Sequence, residues 1–192
     1  MEEVNHLIER ERRFFVDGRN AKPWRSERAI VIVQHYLQSE SLALNESVLE
    51  CYGKALFPLT EDERILFQAQ TGWGARLRKT NDAFFFTSKT TKNDDTRYEL
   101  EREIPETTYE GLLKDSHHPH IMKTRYLWTD AQGLTWEVDE YEGLFAGLVV
   151  AEVELNEGQT IDAIPPWAGQ EITGLGVLSN HSLAMLAEQL RP

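Results

Sequence analysis

ERERRFFV, residues 9–16, sets Glu9, Glu11 and Arg13 two positions apart. In an extended strand, residues two apart point to the same face, so this spacing turns sequence neighbours into one surface carrying two carboxylates and a guanidinium. The same alternation recurs along the chain. Judged by β-branched and aromatic content and by the turn residues between them, eight stretches read as strands: about 7–16, 30–37, 74–79, 84–91, 96–104, 121–128, 135–141 and 148–155. Asn81-Asp82, Asn93-Asp94-Asp95, His117-His118-Pro119 and Asp130-Ala131-Gln132-Gly133 fall between consecutive strands as turn-forming clusters.

Each strand repeats the charged choice on one face. Arg76 aligns with Arg78; Phe85 with Thr87 and Lys89; Arg97 with Glu99, Glu101 and Glu103; Lys123 with Arg125; Glu137 with Asp139; Glu152 with Glu154. Leu77, Tyr98, Leu100, Ile104, Met122, Tyr126, Trp136, Val138, Ala151 and Val153 take the alternate positions. A single strand of this kind is explained by an antiparallel sheet with one face in water. For the set that explanation is less satisfying, because solvated faces mix Ser, Thr, Gln and Lys, whereas these positions are nearly all Arg, Lys, Glu or Asp. If the sheet of this mainly β, α+β domain closes into a barrel with the charged faces inward, the lumen gathers cations and carboxylates. The apolar outer faces are then covered by a few helices or by a partner subunit, which would make a homodimer. An outer-membrane barrel has the same polarity, but Arg10, Arg12, Arg102 and Glu140 on the alternate faces would be penalised by lipid.

Helical patterns are fewer: about 107–115, and about 180–190, where Leu183, Leu186, Ala187 and Leu190 recur on one helix face and Asn180 is placed to cap. Within 40–70, Val48, Leu49, Tyr52 and Leu56 suggest a short helix, and Glu61 to Gln70 reads as helix or strand.

A chain of 192 residues, 27% charged and 41% hydrophobic, suits one globular domain, 1–192. No apolar run approaches the ~20 residues of a membrane-spanning helix, and MEEVNHLIERE lacks the layout of a secretory signal, so the cytoplasm is expected. Cys51 is the only cysteine, which rules out an intrachain disulfide and a thiolate metal cluster. The net charge of −12 argues against broad nucleic-acid binding, though a closed cleft can be locally positive on an acidic protein.

A lumen holding both cations and carboxylates has a chemical purpose: the cations cradle a polyanion, and the carboxylates hold hard cations such as Mg²⁺. At this point the chain resembles the CYTH-domain, or triphosphate tunnel metalloenzyme, family, in its short bacterial form. Its first-strand hallmark, E-x-E-x-K, is matched by Glu9, Glu11 and Arg13. QHYL at 34–37, ARLR at 75–78, Lys89, RYELEREIP from Arg97, KTRY from Lys123, Asp139, AEVEL from Ala151, PPWAGQEITG from Pro165 and SNHSLA from Ser179 follow in the family's order.

The resemblance implies a closed eight-stranded antiparallel β-barrel whose tunnel binds a triphosphate. Glu9, Glu11 and Arg13 would be catalytic, and Arg13, Arg76, Arg78, Lys89, Arg97, Lys123 and Arg125 would grip phosphates. Glu9, Glu11, Asp139, Glu152 and Glu154 would hold Mg²⁺ or Mn²⁺, with Glu99, Glu101 and Glu103 balancing charge. The reaction implied is in-line attack of water on inorganic tripolyphosphate. A class IV adenylate cyclase is the alternative, then a thiamine triphosphatase, or a polyphosphate-binding module without turnover. Two departures stand out: Arg13 replaces the usual Lys, exchanging a point charge for a fork, and the segment between Tyr36 and Arg76 is longer than in the shortest members. That segment would be a lid or, the favoured reading, surface padding. His117, His118 and His120, with His35 and His181, read as structural, as do Trp73, Trp128, Trp136 and Trp167.

Overall fold

The computed structural model describes residues 7–19, 21–93, 95–114 and 117–191. The strands expected from alternation form one sheet: β1 (Ile8–Val16), β2 (Ala29–Leu37), β6 (Gly74–Lys79), β7 (Phe84–Thr91), β8 (Thr96–Glu103), β9 (His120–Thr129), β10 (Thr135–Tyr141) and β11 (Val149–Glu154), with a short β12 (Ala168–Glu171). Its hydrogen-bonded order is β11-β10-β9-β2-β6-β7-β8-β1-β12, and β11 also pairs with β1. Eight strands therefore close on themselves in a β-barrel, with β12 added beside β1. Consecutive strands are antiparallel neighbours in β6–β7, β7–β8, β9–β10 and β10–β11.

The stretch 42–58 departs from the expected short helix. It forms a second, three-stranded sheet, β3 (Leu42–Asn45), β4 (Val48–Cys51) and β5 (Lys54–Pro58). Tyr52 and Gly53 join β4 to β5 with positive φ angles of 51° and 70°, the backbone of a two-residue hairpin turn. Leu49 and Cys51 are wholly buried, so the segment supplies core rather than padding. Next comes α1 (Glu61–Ala69), started by a capping box in which Thr60 accepts from the Glu63 amide and the Glu63 carboxylate accepts from the Thr60 amide. The other helices are α2 (Glu106–Leu113) and α3 (Asn180–Gln189). The cap of α3 is Ser179, whose Oγ accepts from the Ser182 amide at 3.1 Å; Asn180 lies inside the first turn.

The residues cluster into two compact units, the first containing residues up to Glu9 and Gln34–His120, the second Arg10–Val33 and Ile121–Pro192; β1 and β2 contribute to both. Leu49, Leu59, Leu66, Trp73, Leu77, Phe86, Leu100 and Tyr109 are among the core residues of the first unit. The second is built on Phe14, Trp136, Val138, Ala151 and Val153 with three further tryptophans: the Trp167 ring lies 5.2 Å from Trp24, 5.3 Å from Trp128 and 5.7 Å from Trp136. Of the alternate-face residues, Met122 departs from the expected burial and is 41% exposed. Among the described residues no helix is long and apolar enough to cross a membrane.

Candidate functional site: two clusters of buried ion pairs

In the first unit, register fixes the site. Across β6, β7 and β8, Arg76 stands opposite Thr87 and Thr87 opposite Glu101; Gly74 stands opposite Lys89 and Lys89 opposite Glu99. The side chains complete what the backbone aligns. Arg76 Nη2 donates to Thr87 Oγ1 at 3.2 Å, and Thr87 Oγ1 donates to Glu101 Oε2 at 2.6 Å. Arg78 Nη2 donates to Glu101 Oε1 at 2.6 Å, and its guanidinium lies 4.7 Å from the centre of the Phe85 ring. Lys89 Nζ reaches both Glu9 oxygens, at 2.7 and 2.6 Å, and Glu99 at 2.6 Å.

Burial and mutual repulsion divide the acids. Burial works to raise the Glu9 pKa, but Lys89 and Arg76 outweigh it and leave Glu9 below the ordinary carboxylate range. Glu99, buried and beside Glu9, is pushed up to about 7 although Lys89 opposes the rise. Burial also opposes the Lys89 charge, with Arg76 adding to it, and the two carboxylates still hold its pKa above the ordinary value.

The second unit repeats the arrangement on β9, β10, β11 and β1. Arg125 stands opposite Asp139, Glu137 opposite Glu152, and Glu152 opposite Arg13. Arg125 donates to Asp139 from Nε and Nη2, both at 2.7 Å, to Glu152 at 3.0 Å, and to Glu137. Arg13 Nε donates to the other Glu152 oxygen at 2.8 Å. Lys123, fully enclosed, pairs with Asp139. Burial, then Arg125, lowers the Lys123 pKa against the pull of Asp139. Burial raises the Glu137 pKa despite Arg125, and Asp139 and Glu152 raise it further.

The two clusters thus gather Arg13, Arg76, Arg78, Lys89, Lys123 and Arg125 of the cations singled out in the sequence. Arg97 stands opposite Thr91 near the start of β8, and Glu103 is exposed. Glu137 is the addition: it shared a sequence face with Asp139, and only the register reveals that it is the cross-strand neighbour of Glu152. Hydrophobic groups of similar volume commonly replace buried ion pairs at no loss of stability, or with a gain of about 1–4 kcal/mol. Stability alone therefore does not account for two such clusters.

The expected metal ligands are not gathered; among the described residues no group of three or more His, Cys, Asp or Glu is arranged to hold a metal ion. Glu9 is engaged by Lys89, Asp139 by Lys123 and Arg125, and Glu152 by Arg13 and Arg125. The donor set nonetheless fits a hard divalent cation. All five candidates offer carboxylate oxygens, the ligands a hard divalent cation takes, and Glu11 stands directly opposite Glu154 across β1 and β11. His35, His118 and His120 pack among aromatic rings, His35 5.1 Å from His120 and His118 6.1 Å from Tyr52.

No protein-family model matches the chain. The inorganic triphosphatase of Acetivibrio thermocellus is 40% identical over 100 residues, which cover 52% of this chain and 64% of that protein. The match therefore spans less than two thirds of that relative. The inorganic triphosphatase of Nitrosomonas europaea is 31% identical over 112 residues, 57% of this chain and 74% of that protein. In structure, the chain is similar to a crystal structure of the inorganic triphosphatase NE1496, with a TM-score of 0.54 at 24% identity, covering 92% of this chain and 94% of that one. At that identity the likeness shows a shared fold.

Proposed function

The chain belongs to the inorganic triphosphatase family, and from that premise we propose that it is a metal-dependent enzyme of the CYTH type that hydrolyses inorganic tripolyphosphate. The observation that supports this reading is the charge balance of the buried clusters. Lys89, Arg76 and Arg78 are matched by Glu9, Glu99 and Glu101, and Arg13, Lys123 and Arg125 by Glu137, Asp139 and Glu152. The carboxylates act as internal counterions while no polyanion is bound. On binding, the cations exchange carboxylate oxygens for phosphoryl oxygens, and arginine forks suit that exchange because they take two oxygens in one plane.

Phosphoryl transfer is catalysed chiefly by positioning and charge neutralisation. Arg76, Arg78, Lys89 and Arg97 of the first unit, and Arg13, Lys123 and Arg125 of the second, are the cations we assign to phosphate oxygens. Glu9, Glu11, Asp139, Glu152 and Glu154 would hold Mg²⁺ or Mn²⁺, which supplies further charge neutralisation and orients water. Water attacks the terminal phosphorus in line with the departing pyrophosphate. A single buried cysteine, whose thiol pKa burial raises, suits a reducing compartment, and we place the enzyme in the cytoplasm.

The test is to supply tripolyphosphate, ATP and thiamine triphosphate separately with Mg²⁺ or Mn²⁺ and identify the products. Orthophosphate and pyrophosphate from tripolyphosphate, faster than any turnover of the other two, is the expected result. Cyclic AMP as the main product from ATP, at a rate above tripolyphosphate cleavage, would replace this reading with a cyclase.

A further inference from the structure

Arg13 makes more contacts than a phosphate ligand requires. Its Nε donates to Glu152 Oε1 at 2.8 Å, its Nη1 to the Leu178 carbonyl at 3.2 Å, and its main-chain N–H to Thr173 Oγ1 at 3.0 Å. Its main-chain carbonyl accepts from the Ile172 amide at 2.8 Å. The remaining nitrogen, Nη2, is buried with no hydrogen-bond partner among the described residues, on a residue that is 5% exposed. A buried guanidinium donor left unmatched is costly, so this nitrogen is suited to receive an anionic oxygen.

The Leu178 carbonyl lies at a strategic place in the chain. Leu178 immediately precedes Ser179, the cap of α3, and Asn180 in its first turn accepts a hydrogen bond from the Tyr141 hydroxyl. The start of α3 is thus tied to the second unit by Tyr141 and by Arg13, and the Arg13 tie belongs to the group that carries the vacant donor.

We propose that Arg13 is a positioning residue that couples anion binding to the seating of α3: a phosphoryl oxygen that accepts from Nη2 fixes the guanidinium plane and, through Nη1, the Leu178 carbonyl ahead of the helix. This rests on the triphosphate reading given above. The coupling requires arginine, because the rigid fork holds carboxylate, carbonyl and anion in one plane. A lysine ammonium offers all its donors from one atom at the end of a flexible stem and cannot span the same three acceptors.

Amide hydrogen exchange at Ser182 and Leu183, whose N–H groups bond to Ser179, reports the seating of α3. The experiment adds tripolyphosphate without divalent ion, so that nothing turns over, and measures binding separately by calorimetry. In the wild type, exchange at these amides should slow about ten-fold on binding. In Arg13→Lys, tripolyphosphate should still bind while exchange stays within about two-fold of the free protein. Binding by the wild type without slowing, or equal slowing in Arg13→Lys, would overturn the coupling alone. Absence of tripolyphosphate binding by the wild type would overturn the functional reading along with it. If Arg13→Lys does not fold, Tyr141→Phe carries the test. It removes the other tie, so α3 should exchange faster in the free variant and tripolyphosphate should restore protection. Failure to restore it with the anion bound would overturn the proposal.

Discussion

Arg125→Ala removes the cation on which three carboxylates converge. Arg125 bonds to Asp139, Glu137 and Glu152. Without it, those three acids share Lys123 and Arg13, and Glu137 is left directly opposite Glu152. Breaking a buried pair by removing one partner costs about 3–5 kcal/mol, because a charge is stranded rather than because an attraction is lost. For a chain of this size each kcal/mol shifts the melting temperature by about 2–4 °C, so the expected fall at pH 8 is about 6–20 °C. The pH dependence distinguishes this cause from lost packing. Arg125 acts to lower the Glu137 pKa against burial, so its removal raises that pKa further. A carboxyl with a folded pKa above its unfolded value contributes stability that is present at low pH and lost as pH rises through the folded pKa. The variant's deficit should therefore shrink on going from pH 8 to pH 5, because the raised pKa brings Glu137 closer to its neutral form as pH falls. Differential scanning calorimetry of both proteins across that range is the assay. A deficit of equal size at pH 5 and pH 8 would refute the stranded-charge reasoning.

Glu99→Gln should flatten a pH dependence of the wild type. Glu99 titrates at about 7 in the fold against an ordinary value of 4.5, so it makes stability fall as pH rises between those values, and the amide should raise the melting point at pH 8 relative to the wild type. Glu11→Gln should lower the tripolyphosphatase rate by at least ~10²-fold with an unchanged circular dichroism spectrum, since under the proposed metal role it removes one charged oxygen ligand and little volume; wild-type turnover would mean that the Glu11 carboxylate is only a strand-face charge. Trp167→Ala should destabilise by about 3–5 kcal/mol in urea unfolding, because its ring joins three other tryptophans, and a cost below ~1 kcal/mol would contradict that packing.

The barrel strands were legible because period-two alternation was maintained by charges: Arg76 and Arg78 against Ala75 and Leu77 leave no other period open. The strands of the second sheet are only four or five residues long, and Val48, Leu49, Tyr52 and Leu56 imitate one side of a helix. Two local signals were available there. Tyr52-Gly53 between short apolar runs marks a hairpin, and Thr60-x-x-Glu63 marks the start of α1. Side-chain faces were readable residue by residue, but partners were not, because register between strands depends on loops and packing. Hence the sequence aligns Glu137 with Asp139 but carries no sign that Glu137 neighbours Glu152 and pairs with Arg125. The contact of Arg13 with the Leu178 carbonyl has no sequence signal, since a main-chain acceptor is present at every residue.

The central claim is that cations now held by carboxylates are the grip for a triphosphate, and thermal unfolding with tripolyphosphate tests it without turnover. A ligand that binds only the folded state stabilises it by RT ln(1 + [L]/Kd), about 2.7 kcal/mol at 100 Kd. With Ca²⁺ or no metal present, the melting temperature should rise by roughly 5–10 °C, fall back with added salt, and respond far less to orthophosphate. Arg76→Ala combined with Arg125→Ala should erase most of the rise. An unchanged melting temperature in the wild type, or a full shift in the double variant, would contradict the account.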